Sequence, residues 1–168
     1  MIENNIFLAI ADIEKKVFSD SWTVESIKQA ASMDYNKIFV AVEDKEGLSV
    51  GITDLNGGIH VEGNNIVSCG KQELKPVAYL IASIIGDETE ILRIAVDENF
   101  RGRGIGDILM DKYLSYVTNC CERAFLEVRD GNLVARKLYE KKGYSKIAVR
   151  KNYYSNPSED AAIYQLML

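Results

Sequence analysis

Residues 91–106 read Ile-Leu-Arg-Ile-Ala-Val-Asp-Glu-Asn-Phe-Arg-Gly-Arg-Gly-Ile-Gly and give the clearest structural signal in the chain. A short apolar run is followed by a polar turn and by glycines at positions 102, 104 and 106. This pattern predicts a strand that leads into the first turn of a helix. The first amides of a helix have no intrahelical partner and lie at the positive end of its dipole. The segment therefore predicts a site for a diphosphate group.

The spacing of these glycines excludes two known phosphate loops. A dinucleotide fingerprint needs a third glycine where this chain has Asp107, and the Gly-Lys-Ser/Thr of a Walker loop occurs nowhere in the sequence. What remains is Arg101-x-x-Gly104-x-Gly106, which resembles the coenzyme A loop of the GNAT superfamily of N-acetyltransferases. For this segment alone, a tight turn that needs glycine only for its backbone is the alternative interpretation.

Composition limits the classes of protein to consider. The chain has 168 residues and is 47% hydrophobic, which suits a single domain over residues 1–168. No apolar stretch approaches the roughly 20 residues that span a bilayer, and residues 1–5 lack a basic region, so we expect a soluble cytoplasmic protein without a membrane partner. Cys69, Cys120 and Cys121 fit neither a disulfide framework nor a metal site. The net charge of -5 argues against direct nucleic-acid binding.

Apolar periodicity predicts an alternating series of helices and strands. Two helices are expected within residues 7–31, separated by a break at residues 19–23. Two more helices are expected at 104–118 and 132–142, and strands at 38–42, 76–85, 91–96, 124–128, 144–154 and 161–168. Residues 45–75 are rich in Gly and Asn, and the short runs 59–61 and 66–67 favour an added hairpin. This order predicts a mixed α/β sheet flanked by helices.

Further motifs extend the resemblance along the chain. They are LEVRDGN at 126–132, LYEKKGY at 138–144, RKNYY at 150–154, EDA at 159–161 and FSDSW at 18–22. Together they resemble the RimI-type branch of the GNAT superfamily, whose members acetylate the N-terminal alanine of a small-subunit ribosomal protein. The resemblance implies a GNAT fold of α/β (α+β) class, with a mixed, mostly antiparallel sheet and an extra hairpin-like insert between the second and third strands. Residues 45–75 are the main departure, since relatives usually make a tight turn there.

The resemblance implies that acetyl-CoA is the cofactor and indicates where it binds. The strand residues Ile94, Ala95 and Val96 would pair with the pantetheine amides through their main chain. The diphosphate would lie on the loop that consists of Arg101, Gly102, Arg103, Gly104, Ile105 and Gly106. The two arginines would add charge near phosphate oxygens, and solvated arginines are the alternative. Asn132 is expected both to cap a helix and to contact the coenzyme.

Acetyl transfer to an amine needs a neutral amine, a stabilised oxyanion and a protonated sulfur leaving group. The resemblance assigns the general base to Glu127, acting through water, and the acid to Tyr139. Glu127 lies in an apolar strand, where the alternative is a solvent-facing residue paired with Arg129 or Arg123. For Tyr139 the alternative is a core aromatic residue of its helix.

The predicted acceptor site is aromatic. Trp22, Tyr153 and Tyr154 resemble the family's walls around the peptide entrance, with Asp160 near them in sequence, whereas sheet packing is the alternative role. His60 and Cys69 are interpreted as structural.

The predicted function is direct acetyl transfer to the N-terminal alanine of a ribosomal protein, by a monomer or weak dimer. Two alternatives remain. One is a GNAT enzyme that acetylates a lysine, a polyamine or another small amine. The other is a non-catalytic acyl-CoA sensor, against which the presence of both Glu127 and Tyr139 argues.

Overall fold

One sheet with helices on both faces organises the chain. The computed structural model describes residues 3–44, 47–53, 59–60 and 76–168. The helices are α1 (Glu3–Val17), α2 (Val24–Ala31), α3 (Ile105–Val117) and α4 (Leu133–Lys141), and a short 3-10 turn covers Glu98–Phe100. The strands are β1 (Asn36–Asp44), β2 (Gly47–Thr53), β3 (Ile59–His60), β4 (Pro76–Ile85), β5 (Glu88–Val96), β6 (Arg123–Arg129), β7 (Ser145–Ser155) and β8 (Ser158–Met167).

The sheet is mixed and mostly antiparallel, as the sequence predicted. In the described part of the chain, eight strands lie in the order β3-β2-β1-β4-β5-β6-β8-β7. Every neighbouring pair is antiparallel except β5 and β6, which run parallel. A parallel pair needs a crossover connection, and here α3 supplies it. The crossover places the start of α3 directly after the end of β5.

The two faces of the sheet carry separate apolar clusters. The first lies under α1 and α2 and includes Ile10, Ile27, Val40, Tyr79 and Ile81. The second lies under α3 and α4 and includes Phe39, Leu80, Leu109, Leu126 and Tyr164. Consecutive residues of β1 and β4 enter opposite clusters because side chains alternate along a strand. The middle of the sheet is therefore buried on both faces and forms a rigid support.

Helix boundaries agree closely with the sequence signals. Thr23 caps α2 by accepting a hydrogen bond from the Ser26 amide at 3.1 Å. Asn132 caps α4 by accepting from the Ala135 amide at 3.2 Å. Gly143 follows α4 with a φ of 93°, in the left-handed region that glycine adopts at helix ends.

The main difference from the prediction lies between residues 45 and 75. Residues 47–53, expected within an irregular insert, form β2 and pair with β1, and alternate residues of β2 pack on the core. These are Leu48, Val50 and Ile52. Residues 59–60, which the sequence predicted as one arm of an added hairpin, form β3 and pair with the end of β2. The pairing with 66–67 falls outside the described residues. Residues 61–75, including Cys69 and the run 66–67, lie outside the described part.

Two negative findings concern only the described residues. None of their helices is both long and apolar enough to cross a membrane. Their His, Cys, Asp and Glu side chains form no cluster of three or more that suits a metal ion. Cys120 is exposed and Cys121 is buried, and both are free thiols.

Candidate active site

The central feature of the site is a split between β5 and β6. Their parallel pairing runs from Glu88 opposite Arg123 to Ile91 opposite Leu126 and then stops. Beyond that point β5 continues along β4 as far as Val96, while β6 continues along β8. A register shift between β4 and β5 accompanies the split. In the described part of the chain, the edge of residues 92–96 that faces β6 therefore has no strand partner, which suits an extended ligand with amide groups.

The glycine loop lies just beyond the end of β5. Gly102 and Gly104 have φ values of 75° and 76°, in the left-handed region that other residues adopt at a cost. A Cβ added at either position would meet nothing within 4 Å, so the loop borders open space. Gly106 is packed more closely, since its Cβ would lie 3.5 Å from Leu138 and 3.8 Å from Val96.

Helix α3 is not capped by a side chain, unlike α2 and α4. Its N-cap is Gly104, and no side chain of the described residues accepts a hydrogen bond from its first turn. Uncapped helix amides are the groups that bind phosphate oxygens. The loop thus has the open space and the free donors that a diphosphate needs.

Both arginines of the loop are engaged with protein groups. Arg103 forms an ion pair with Glu43 of β1, with Nη1 3.3 Å from Oε2, and its guanidinium lies over the Phe100 ring at 5.3 Å. Arg101 donates from Nε to the main-chain oxygen of Val96 at 3.2 Å. A ligand that pairs with this oxygen must share it with Arg101 or displace that side chain.

Glu127 lies on β6 at the point where the split begins. Its neighbours Leu126 and Val128 enter the core below α3 and α4, so Glu127 faces the side of α1 and α2. Its side chain is 19% exposed, and Oε1 lies 3.1 Å from Nη2 of Arg150 on β7. The alternative partners have other contacts, since Arg123 pairs with Asp87 and Glu88, and Arg129 pairs with Glu159.

A second carboxylate, Glu90, lies near Glu127 and was missed by the sequence analysis. Glu90 of β5 is opposite Phe125, two residues before Glu127 on the same face of the sheet. Burial raises the pKa of Glu90, and the negative charge of Glu127 raises it further, while Arg150 opposes both. The alternation of Glu88 and Glu90 with buried residues was the available signal, but only the register of β5 against β6 places Glu90 in the site.

Tyr139 approaches the split from the opposite face of the sheet. It is 4% exposed on α4, and its ring centroid lies 6.2 Å from that of Tyr144 and 6.4 Å from that of Tyr164. Burial raises its pKa, and Tyr154 is the second cause. Its hydroxyl has no hydrogen-bond partner among the described residues. Tyr139 is therefore a core aromatic residue that keeps its proton, which is compatible with the acid role.

Tyr153 and Tyr154 of β7 lie near Glu127. Their rings are perpendicular, with centroids 5.1 Å apart. The negative charge of Glu127 is the main cause of the raised pKa of Tyr153. The pKa of Tyr154 is raised first by burial and then by the same charge. Tyr154 also raises the pKa of Tyr139, after the larger effect of burial.

A bulge in β7 determines where these tyrosines lie. Arg150 is opposite Ala161 and Tyr154 is opposite Glu159, so three residues of β7 face Asp160 alone. Asn152, at the centre, has a φ of 51°. The carboxylate of Asp160 accepts hydrogen bonds from the Asn152 amide at 2.9 Å and from Lys151 Nζ at 2.6 Å. Asp160, which is near these tyrosines in sequence, thus holds the bulge through its carboxylate.

Trp22 belongs to the α1–α2 loop and is held by a buried carboxylate. Glu14 is fully buried and accepts hydrogen bonds from the Trp22 amide at 2.8 Å and from the Tyr79 hydroxyl. The guanidinium of Arg93 lies 4.6 Å from the ring centre of Phe18 and 5.2 Å from that of Trp22. The aromatic wall is therefore fixed to α1, β4 and β5.

The α1–α2 loop also meets the turn between β7 and β8. Ser19 Oγ donates to the main-chain oxygen of Asn156 at 3.0 Å, and Arg129 Nη2 donates to the same oxygen at 3.0 Å. Arg93 in turn donates to the Asp20 carboxylate at 3.1 Å. The loop that carries Trp22 thus contacts the turn that follows Tyr153 and Tyr154 in the chain.

The match with known sequences agrees with this geometry. A family model described as the acetyltransferase (GNAT) family matches residues 7–144, which include the glycine loop, Glu127 and Tyr139. The chain belongs to the GNAT family. Its fold and family are those that the motifs predicted, and acetyl-CoA, the predicted cofactor, is the coenzyme of GNAT acetyltransferases.

Relatives within the GNAT family include enzymes that act on a ribosomal protein. The [ribosomal protein bS18]-alanine N-acetyltransferase of Salmonella typhimurium is 36% identical over 92 residues, which is 53% of this chain. That match spans 62% of the relative, so the chain covers less than two thirds of its length.

Two solved structures share the fold. The ribosomal-protein-S18-alanine N-acetyltransferase of Escherichia coli superimposes with a TM-score of 0.70 at 22% identity, over 96% of this chain and 86% of the other. Ard1 of Thermoplasma volcanium has a TM-score of 0.68 at 23% identity, over 96% and 90%. At these identities, the two structures establish the GNAT fold of this chain.

Proposed function

We propose that this protein transfers the acetyl group of acetyl-CoA to the N-terminal α-amine of a polypeptide, and that the acceptor is the alanine of ribosomal protein bS18. The observation that carries the proposal is that Glu127 lies on β6 where the split from β5 begins, while Tyr139 lies in the apolar cluster on the opposite face of the sheet. The names of the relatives support the acceptor.

The residues of the split fit the donor. The uncapped start of α3 and the open space at Gly102 and Gly104 would hold the diphosphate. The unpaired edge of residues 92–96 would hold the pantetheine arm, with Asn132 at the start of α4 beside it. When bound, acetyl-CoA supplies an acetyl thioester at the split.

The proton transfers fall to Glu127 and Tyr139. A peptide α-amine has a pKa near 8 and arrives largely protonated at neutral pH. Glu127 takes one proton from the ammonium through a water molecule and later returns it to solvent. Tyr139 protonates the departing sulfur and recovers the second proton that the nitrogen loses when the amide forms. One proton is released for each acetylation.

The aromatic walls suit the end of a peptide chain. Trp22, Tyr153 and Tyr154 would line the approach to Glu127, and the two tyrosines lie near its carboxylate. Aromatic side chains are common in the lining of ligand sites.

Mass spectrometry of peptides tests the proposal directly. Peptides that begin with Ala, Ser or Met, and an N-blocked peptide with an internal Lys, are incubated with acetyl-CoA and the full chain. We expect acetylation of the free N-terminus, fastest for Ala, and none of the blocked peptide. Acetylation only at lysine would replace the proposed acceptor, and coenzyme binding without any turnover would indicate a sensor.

A further inference from the structure

Glu127, the proposed base, already has a cationic partner. Arg150 Nη2 lies 3.1 Å from Glu127 Oε1, and the Arg150 guanidinium also lies over the Tyr153 ring at 4.9 Å. The two members of the pair differ in burial, because the Glu127 side chain is 19% exposed and that of Arg150 is 52% exposed. A mostly covered carboxylate needs a counter-ion, whereas a half-exposed arginine is readily hydrated.

The charged groups around Glu127 sum to a net negative charge that one further cation would neutralise. From β5, Glu90 faces it, and from β7 Arg150, Tyr153 and Tyr154 do so. The other charged groups around the site have their own partners: Arg129 pairs with Glu159, and Arg93 pairs with Asp20. Two carboxylates and one guanidinium sum to a net charge of −1 when all are ionised, which matches one incoming ammonium.

We propose that Arg150 holds the place of the acceptor's α-ammonium on Glu127 between turnovers. The inference rests on the proposed function. The incoming ammonium, with the water molecule that links it to Glu127, displaces the guanidinium from the carboxylate. Arg150 returns when the product, whose amide carries no charge, leaves. Arg150 is thus a positioning residue that keeps the Glu127 carboxylate oriented. It also selects acceptors with a cationic end group, because a neutral acceptor cannot replace the guanidinium.

Two features of the fold allow the Arg150 guanidinium to leave Glu127 at a small cost in free energy. The Arg150 side chain is 52% exposed and its guanidinium lies over the Tyr153 ring, so the guanidinium can move into solvent when it leaves Glu127. Arg150 is also the last residue of β7 that pairs with β8 before the bulge that Asp160 holds. Its main chain is therefore fixed while its side chain moves.

Binding measurements separate this role from a structural one. The affinity of the CoA-saturated protein for a peptide that begins with Ala is measured by calorimetry near pH 8. Arg150→Met is expected to bind this peptide roughly two- to fivefold more tightly than wild type, the range of an exposed ion pair. Arg150→Lys keeps the cation and should bind like wild type. Lys146 is also a cation of β7, but it pairs with Asp130 and not with Glu127. The control variant Lys146→Met should therefore bind the peptide like wild type.

An N-acetylated peptide completes the test. This peptide lacks the ammonium, so Arg150→Met should bind it with the same affinity as the wild type does.

The two possible failures are distinguishable. Equal or weaker binding of the Ala peptide by Arg150→Met, or an equal gain for the N-acetylated peptide, would overturn the role of Arg150 even if the wild type acetylates the peptide. Absence of peptide acetylation by the wild type would instead contradict the proposed function. The binding measurements do not depend on turnover, so the two failures are told apart.

Discussion

At the level of single residues, Glu127 and Tyr139 approach the cleft in different surroundings. Glu127 is partly exposed and paired with Arg150, so it is available as a proton acceptor. Tyr139 is buried among aromatic rings, and burial raises its pKa, so it keeps its proton. One side chain is thus suited to accept a proton and the other to donate one, on opposite faces of the same split.

Replacing Glu127 tests the base. Glu127→Gln should lower kcat/KM at pH 7 by roughly 100-fold, because a positioned base contributes about that much or more. Activity should partly recover above about pH 8, where the α-amine loses its proton unaided. Steady-state kinetics across pH measure both effects, and Glu122→Gln, at the exposed residue before β6, is the matched control. Undiminished turnover would remove Glu127 from this role.

Replacing Tyr139 tests the acid. Tyr139→Phe removes a hydroxyl that has no hydrogen-bond partner among the described residues, so stability should hold. We expect kcat to fall by roughly 100-fold with the affinity for the peptide unchanged. Tyr144→Phe removes the hydroxyl of the adjacent ring and should keep the wild-type kcat. Equal rates for the two variants would leave Tyr139 as a core residue only.

At the level of elements, the site depends on where regular structure is left incomplete. The β5–β6 pairing stops after Ile91, α3 begins without a side-chain cap, and β7 bulges opposite Asp160. Each interruption leaves main-chain groups or side chains free for a ligand. Bulges and strand ends are common at functional sites for this reason.

Alanine substitution at two glycines with similar backbone conformations distinguishes an effect on stability from an effect on coenzyme binding. Gly104 and Gly86 have φ values of 76° and 63°, and a Cβ at either would meet nothing within 4 Å. Alanine at either position should cost about 1 kcal/mol in the free energy of unfolding, because an L residue is strained there. Only Gly104→Ala should weaken coenzyme A binding, measured by calorimetry. Equal coenzyme affinities in the two variants would contradict a diphosphate site at the start of α3.

The bulge in β7 has an expected pH dependence. The hydrogen bond from Lys151, followed by that from the Asn152 amide, lowers the pKa of Asp160. Because the folded pKa lies below the unfolded value of 3.8, the stabilising contribution of Asp160 is complete above that value and is lost as the pH falls through the folded pKa. Asp160→Ala should therefore be less stable than wild type in urea at pH 7, with a smaller difference near pH 3.

The same variant should bind the acceptor less well. Without Asp160 the bulge loses two hydrogen bonds, so the tyrosines of the proposed acceptor wall, Tyr153 and Tyr154, are held less firmly. We expect a higher KM for the peptide and an unchanged affinity for coenzyme A. The control for the lost charge is Asp111→Ala. Asp111 is an exposed residue of α3 that pairs with Lys142 at the end of α4. A peptide KM equal to that of wild type would show that Asp160 only stabilises the hairpin.

At the level of the whole molecule, one buried carboxylate joins the core to the acceptor wall. Glu14 on α1 accepts hydrogen bonds from Tyr79 on β4 and from the Trp22 amide, and it lies 4.0 Å from Arg93 on β5. Both carboxylate oxygens are therefore used. Because β5 also leads to the glycine loop, the acceptor wall and the donor site share one support.

Replacing Glu14 should affect both stability and acceptor binding. Gln offers one acceptor oxygen where Glu14 offers two, so a buried donor loses its partner. We expect Glu14→Gln to lower the free energy of unfolding by about 1–3 kcal/mol, measured in urea. The peptide KM should rise because Trp22 is less firmly held. Glu25→Gln, on the exposed side of α2, is the control, and equal stability of the two variants would contradict this role of Glu14.

The sequence alone indicated the order of elements, the glycine loop and the family, because these depend on neighbours along the chain: apolar spacing, caps and glycine. The alternation of Leu48, Val50 and Ile52 was an unused signal for β2. The roles of Glu127 and Tyr139 remain predictions that the resemblance supplied and the placement of both residues supports.

Tertiary structure decided which charges meet. The partner of Glu127 is Arg150 on β7, and Glu90 joins the same cluster, because the register of β5, β6 and β7 brings them together. Strand register and bulges arise from long-range packing, and a shift of one residue turns a side chain to the opposite face. No local pattern in the sequence contains that information.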